Sequence, residues 1–297
     1  MQPVDIIVPY VNNQDPIWQA EYNKYKNSAG LKGNERFRDL HLFKYFFRSI
    51  EKNCPWCRYV FLVLSGSSQI PEWLNVNHPK LKIIYHADYI PKEFLPTFNS
   101  NVIEMFYSNI EELSDNFILC NDDFFFMKNV SFFENNKPKL SRKIQCNCLW
   151  RCAPGGDHCF VDTINNNNKL ISKFTGKRPF TYQHFHVPTA HNKTFHKFIW
   201  SKFENELYNS LKDSRFRTSK NYTQWLFEDF AKISDKFSVN SNIYNNVNVF
   251  TMKDTYFNVN KYDLICFNDD INFNNKSVMN FIKAMEKTFP NESSFEK

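Results

Sequence analysis

The stretch "LSDNFILCNDDFFFMKNV" (113–130) sets two adjacent carboxylates, Asp122 and Asp123, between an apolar run and three phenylalanines. Carboxylates flanked by segments that want burial need a cation, hydrogen-bond donors or water to offset their desolvation. A turn between strands supplies water, and turns favour Asp and Asn in any case. A divalent cation is the other solution. Mg²⁺ or Mn²⁺ prefers hard oxygen ligands and would bridge a diphosphate there. A second such tip, Asn268-Asp269-Asp270, follows "YDLICF".

Other chemically capable residues are spread along the chain. Asp5 lies inside an apolar strand pattern, "DIIVPYV", and either faces a site or pairs with an arginine. "ERFRD" offers Arg36 and Arg38, planar forks suited to phosphate oxygens, and Asp39, which suits a helix N-cap. Thr97 and Asn99 in "LPTFNSNVIE" are either caps or part of an anion site at a helix start. "YQHFHVPTAHNKTFH" holds His184, His186, His191 and His196, whose spacings match no standard zinc motif, so a general base is the better reading. Arg215 and Arg217 follow in "SRFRTSKNY". Cys54 and Cys57 form a CxxC without the preceding strand a redox motif needs, and Cys146, Cys148, Cys152 and Cys159 cluster beside His158 at irregular spacing. Both sets read as packing or loop thiols in a reducing compartment.

The elements that must position these residues are legible as alternating patterns. Residues 4–11, 58–65, 82–88 and 116–120 read as strands; 40–53 and 100–110 have helical period. That alternation predicts an α/β sheet, at least partly parallel, whose ligands sit beyond the carboxyl ends of the strands. Asn12 to Asp15, Ser65 to Ser68, Asp88 and Asn121 to Asp123 all follow strands and should converge on one crevice. Residues 134–183 show no sustained period and read as an irregular insertion. Helical period returns at 194–211, 223–234 and 276–289, with one more strand at 262–270.

The 297 residues suffice for a full core, and 42% hydrophobic with 23% charged residues excludes a disordered chain. A net charge of +6 fits an anionic ligand or an acidic membrane surface. Without a concentrated basic helix it argues against nucleic acid. "MQPVDIIVPYV" lacks the marks of a signal peptide, and no apolar run reaches the ~18 residues that span a bilayer. The expectation is a cytoplasmic protein, peripheral at the membrane at most.

Together these stretches resemble the Stealth family of sugar-phosphate transferases, which includes bacterial polysaccharide phosphotransferases and the catalytic part of the lysosomal-enzyme GlcNAc-1-phosphotransferase. The resemblance is carried in order by four blocks. They are "PVDIIVPYVNNQDPIW"; "RFRDLHLFKYFFRSIEKNCPWCRYVFLV" through "LPTFNSNVIE" and "LSDNFILCNDDFFF"; "HVPTAHNKTF" with "RFRTSKNYTQ"; and "YDLICFNDD". The first block departs from the family pattern at Pro9, Tyr10 and Asn13, and the second at Leu40 and Leu42.

The resemblance implies a single catalytic domain over 1–297: a nucleotide-sugar-binding α/β part (1–133), the insertion (134–183), and a helical part (184–297) that returns a strand to the site. The fold class is α/β, a Rossmann-like or GT-A-like mixed sheet flanked by helices. By position, Asp5, Asp123 and Asp269 form the acidic core, with Asp122, Asp123 and Asp269 as Mg²⁺ or Mn²⁺ ligands. His186 is the general base and Arg217 and Arg36 clamp phosphate. Asp39, Asn12, Asp15, Thr97, Asn99, Asn121 and Asn268 bind substrate. The implied reaction moves a hexose-1-phosphate, a HexNAc-1-phosphate in the first instance, from a UDP-sugar to a hydroxyl of a glycan or lipid-linked oligosaccharide and releases UMP. The alternatives are a metal-dependent glycosyltransferase, which would release UDP, and a non-catalytic carbohydrate-binding module.

Overall fold

A computed structural model describes residues 2–29, 37–145, 158–177, 181–269 and 272–297. Four parallel strands, β1 (Val4–Pro9), β2 (Cys57–Leu64), β3 (Leu81–Tyr85) and β4 (Asn116–Leu119), form the main sheet in the order β4-β1-β2-β3. The strand Thr189–Asn192 joins antiparallel outside β4. The fold is thus α/β with a mixed sheet, as expected.

The strands read as unbroken apolar runs because both faces are covered. Side chains alternate between two cores: Ile6, Val8, Val60, Leu62 and Ile118 face one, and Ile7, Phe61, Val63, Phe117 and Leu119 face the other. The first core is filled by α2 (Phe43–Asn53) and the C-terminal helix Asn275–Thr288, the second by the helices Lys193–Leu211 and Trp225–Lys232. Helix α1 (Pro16–Ala29), which had no clear apolar period, packs Trp18 and Tyr22 into a separate aromatic cluster with Phe98.

A small second sheet brings the two acidic tips together. The chain leaves β4, turns at Asn121 to Asp123, and enters β5 (Phe124–Phe126). β5 pairs antiparallel with the strand Leu264–Asn268, which in turn pairs parallel with Val247–Thr251. The register sets Cys266 opposite Phe124, next to Asp123.

The described part of residues 134–183 has more regular structure than its sequence suggests. The described part holds short strands, including Lys137–Leu140, and an 18-residue helix, His158–Thr175. Asparagine is a poor helix former. Here the run is held by tertiary bonds: Asn166 to the carbonyls of Ser219 and Asn221, Asn167 to Thr223, and Asn168 to Thr181. No described helix is long and apolar enough to cross a membrane.

Candidate active site

The carboxyl ends of β1, β2 and β4 point to one side of the sheet, and the polar segments after them meet there. The frame is built first. Asp15 caps α1 by accepting from the Ile17 amide (3.0 Å), and also accepts from Ser68 and Gln69 (2.6 Å each). Burial raises its pKa, but those donors outweigh it and hold the carboxyl below the usual range. Gln69 also brackets the backbone of Asn12, whose side chain accepts from the Gln14 amide. Asp15 is therefore a turn organiser with its oxygens used, not a substrate ligand.

Thr97 and Asn99 receive the same correction. Asn99 caps α3 (Ser100–Met105) through the Asn101 amide, and its amide nitrogen donates to Ser214 O, Phe216 O and Asn221 Oδ1. Thr97 accepts from the Asn99 amide. Both are buried with their polar atoms engaged, so they tie down the loop that carries Arg217 rather than contact a ligand.

Asp5 is not brought to the crevice. It sits near the amino end of β1, fully buried, and receives Arg58 through both carboxylate oxygens (2.8 and 2.6 Å) and the amides of Tyr59 and Ser114. With four donors satisfied at the far end of the strands, it is a structural ion pair. Arg36 and Asp270 lie outside the described residues, as do Cys146, Cys148 and Cys152.

What does converge is the Asp122–Asp123 tip with His186 and Arg217. The Asp123 backbone carbonyl accepts from Phe267, and its Oδ2 accepts from the Cys266 thiol at 3.3 Å. Its Oδ1 is buried with no hydrogen-bond partner among the described residues. Burial raises the Asp123 pKa, against the pull of His186 and Cys266; burial and Asp123 itself, with Asp39, raise Asp122 further. The tip is thus short of positive charge. His186 packs edge-on against Phe124 (4.9 Å). Burial lowers its pKa, Asp123 opposes this and Arg217 adds to it, so the imidazole is neutral at pH 7 and able to accept a proton.

Arg217 donates to Ser100 on α3. One turn later on the same face stands Glu104, a buried carboxyl pushed up to about 7 by burial, which Arg217 partly counters. Glu104 was missed because in sequence it is one polar residue in a short helical pattern; the signal was its position four residues from Ser100.

Arg38 and Asp39 form the opposite rim. Arg38 pairs with Asp269 at 3.0 Å and lies over Phe273. Asp39 accepts from Tyr10 (3.0 Å) and from the His41 amide (2.7 Å). The Tyr10 phenol is held protonated by burial, then by Asp39 and Asp122. Arg38 is thus a described arginine at the second tip. Asn121 is half-buried at the turn, and Asn268 is exposed at the end of its strand.

The expected metal trio of Asp122, Asp123 and Asp269 does not gather. Asp269 is drawn to Arg38, and Asp122 lies toward Asp39 and Tyr10. Among the described residues, the three side chains whose ligand atoms all lie within 4.8 Å of one another are Asp123, His186 and Cys266. Cys266 was unforeseen: it is buried inside a strand, and only the pairing with β5 sets it beside Asp123. The other histidines are elsewhere. His191 and His196 bond to each other (3.0 Å) and are kept neutral by burial, and His184 bonds Asp229 (2.8 Å). Cys54 and Cys57 are buried free thiols whose pKa values burial raises, which removes a redox role.

Comparison with known proteins agrees with this chain over its whole length. The pattern described as Stealth protein CR2, conserved region 2, matches residues 36–141. The capsular polysaccharide phosphotransferase WcwK of Streptococcus pneumoniae is 34% identical over 339 aligned positions, covering 99% of each chain. The receptor polysaccharide phosphotransferase WefC of Streptococcus oralis is 28% identical across the full length of both. Among solved structures, the galactosyltransferase LgtC in complex with donor and acceptor sugar analogues aligns over 98% of both chains, at 10% identity and a TM-score of 0.43. The match to conserved region 2 and the 34% identity with WcwK over 99% of each chain place this chain in the Stealth family.

Proposed function

We propose that this protein transfers a sugar-1-phosphate from a nucleotide-sugar donor to a hydroxyl of a glycan acceptor, in the assembly of a capsular or other cell-surface polysaccharide. The observation that carries the reading is the convergence of a neutral, half-buried imidazole, His186, with Arg217 and the Asp122–Asp123 tip. This occurs in a chain matched along its length by polysaccharide phosphotransferases.

Phosphoryl transfer asks mainly for positioning and charge stabilisation. Arg217, held by Ser100, presents its guanidinium toward the phosphate attached to the sugar. Arg38 does so from the other rim, with Asp269 fixing its direction. His186 takes the acceptor hydroxyl proton as that oxygen attacks phosphorus. The bond broken joins this phosphorus to the oxygen bridging the two phosphates, so the nucleoside monophosphate leaves and the anomeric configuration of the sugar is retained. The unpartnered Asp123 Oδ1 and the raised pKa values of both carboxyls suit a cation here. A hard divalent ion such as Mg²⁺ or Mn²⁺, held by Asp122 and Asp123, would neutralise charge on the diphosphate when bound. The donor we favour is a UDP-HexNAc, with UMP as leaving group. The acceptor is a growing glycan, free or lipid-linked.

The test is incubation with a panel of nucleotide sugars, a divalent cation and oligosaccharide acceptors. A phosphodiester in the product by phosphorus NMR, with stoichiometric UMP and activity lost in chelator, is expected. Stoichiometric UDP with a phosphate-free product would mean glycosyl transfer instead.

A further inference from the structure

The side chains gathered behind the proposed base are a mixed set. Asp123 supplies a carboxylate oxygen, His186 an imidazole nitrogen and Cys266 a sulfur, all within 4.8 Å of one another. Mg²⁺ would choose none of the last two, because a hard, strongly hydrated ion prefers carboxylate, carbonyl and water oxygen. Zinc chooses all three. With Zn–S near 2.3 Å and Zn–N or Zn–O near 2.0–2.1 Å, the edges of a tetrahedral site are about 3.3–3.8 Å. The Cys266 Sγ to Asp123 Oδ2 separation is 3.3 Å already, before any metal draws the groups together.

Two further features suit such a site. Asp123 keeps a second oxygen, Oδ1, buried and without a hydrogen-bond partner among the described residues, an arrangement costly unless something fills it. Cys266 is wholly buried at the back, whereas Asp123 and His186 are half-buried, so a cation entering from the crevice meets three ligands and leaves its fourth position facing the crevice.

We propose that Asp123, His186 and Cys266 form a binding site for a thiophilic divalent cation of the Zn²⁺ class, and that its occupancy switches transfer off. On binding, the Cys266 S–H bond breaks, its proton leaves to water and a metal–thiolate bond forms, with no change of oxidation state. Because the ligating sulfur must be a thiolate, uptake releases a proton and strengthens as pH rises. The inhibitory half of the proposal rests on His186 and Asp123 acting as described above: a metal on the imidazole lone pair removes the base, and one on Asp123 removes the carboxylate facing the donor. The binding half rests on geometry alone.

Titration of the whole chain with Co²⁺, a spectroscopic stand-in for Zn²⁺, separates the two. We expect one saturable site with a thiolate-to-cobalt charge-transfer band, displaced by Zn²⁺ and absent in Cys266→Ser. His186→Gln should weaken binding by at least about 10–100-fold, the loss seen when even an outer partner of a metal ligand is removed. A variant with Cys146, Cys148, Cys152 and Cys159 all changed to Ser should keep the band, which assigns it away from that cluster. Far-UV circular dichroism checks that each variant is folded. A band that survives in folded Cys266→Ser, or wild-type protein with no saturable sulfur-bound cobalt, overturns the site. If the band behaves as expected and Zn²⁺ leaves transfer in excess Mg²⁺ unaffected, the inhibitory half falls. If no phosphodiester forms with any donor, the transferase reading falls and the metal site stands.

Discussion

His184 and His186 stand two residues apart, each beside a buried carboxylate, and the chain uses them in opposite ways. His184 donates to Asp229 (2.8 Å) and stacks on Trp225 (4.6 Å); Asp229 lies 3.5 Å from Lys232, which also pairs with Glu228 at 2.5 Å. All four side chains are at most 3% exposed. Burial alone would strip the proton from Lys232, but Glu228 and Asp229 hold its pKa above normal, so the ammonium stays charged between the two carboxylates, even though Glu228 Oε2 has no hydrogen-bond partner of its own among the described residues. Around His186 no described cation pairs directly with Asp122 or Asp123: Arg217 acts on the imidazole from its place on Ser100, and Asp123 keeps an oxygen without a partner among the described residues. Carboxylates locked to their own lysine make structure, whereas a pair without a direct cation is ready for a ligand.

The comparison breaks most sharply at His186. Replacing it with Ala should cost about 10²–10⁴-fold in transfer rate. Donor binding and melting temperature should stay near wild type, because the imidazole anchors little. Loss of donor binding in the folded variant would reassign His186 to the donor site. Lys232→Met should do the reverse. Leaving Glu228 and Asp229 buried without their cation should cost about 3–5 kcal/mol of stability. The kcat of the surviving folded enzyme should be little changed, as denaturant melts and active-site titration would show. A stable Lys232→Met with a collapsed kcat would move that cluster into the catalytic machinery.

Asp5 sharpens the same distinction. Sequence position made it part of an acidic core, but its four donors and its place at the amino end of β1 make it the partner of Arg58. Asp5→Ala should lose about 3 kcal/mol or more in stability by stranding those donors. Activity per folded molecule should survive. An inactive yet fully stable variant would restore the catalytic assignment.

The sheet, the crevice at its carboxyl ends and the Asp122–Asp123 tip were legible because strands buried on both faces read as apolar runs, with polar residues just after them. Arg217 and His186, which the fold brings beside that tip, were singled out through family resemblance. What failed did so for a common reason. Asp15, Thr97 and Asn99 have the composition of ligand-binding loops, and only their hydrogen-bond partners, Ser68 and Gln69 for one and the 214–221 loop for another, reveal caps and ties. Cys266 carries no local signal and Glu104 only its spacing from Ser100, because their proximity to Asp123 and Arg217 is created by strand pairing and chain return. A long asparagine-rich helix is likewise hidden when its stability comes from partners 13 to 56 residues away.

Glu104 gives a smaller effect with a definite pH. Its carboxyl, pushed up to about 7, faces Arg217 and lies near the phenols of Tyr89 and Tyr107. Above pH 7 it is ionised and holds the guanidinium; below, it is protonated and the hold weakens. The kcat/KM profile should therefore step up through about pH 7 from a lower plateau to a higher one, because the protonated form loosens Arg217 without abolishing transfer. Glu104→Gln should flatten that step. A step unchanged in the variant would mean another group titrates there.

Asp122→Asn should produce the smallest change, and it should be a gain. Burial, Asp123 and Asp39 hold the Asp122 carboxyl protonated well above the normal range. A group whose folded pKa is raised lends the fold stability below its unfolded pKa, and that contribution is lost as pH rises through the folded value. At neutral pH the wild type therefore bears a cost the amide does not. The variant should be more stable by ~0.5–2 kcal/mol, the usual reward for relieving a strained functional group. The difference should shrink as pH falls toward the ordinary carboxylate range, where the unfolded chain takes up the same proton. Mg²⁺ with a nucleoside diphosphate should narrow it from the other side, because the wild-type carboxylate then gains the cation it lacks and the amide does not. Thermal melts across pH, with and without those ligands, measure both. A variant less stable than wild type at every pH would show that Asp122 is a structural carboxylate like Asp229, and that the charge deficit resides in Asp123 alone.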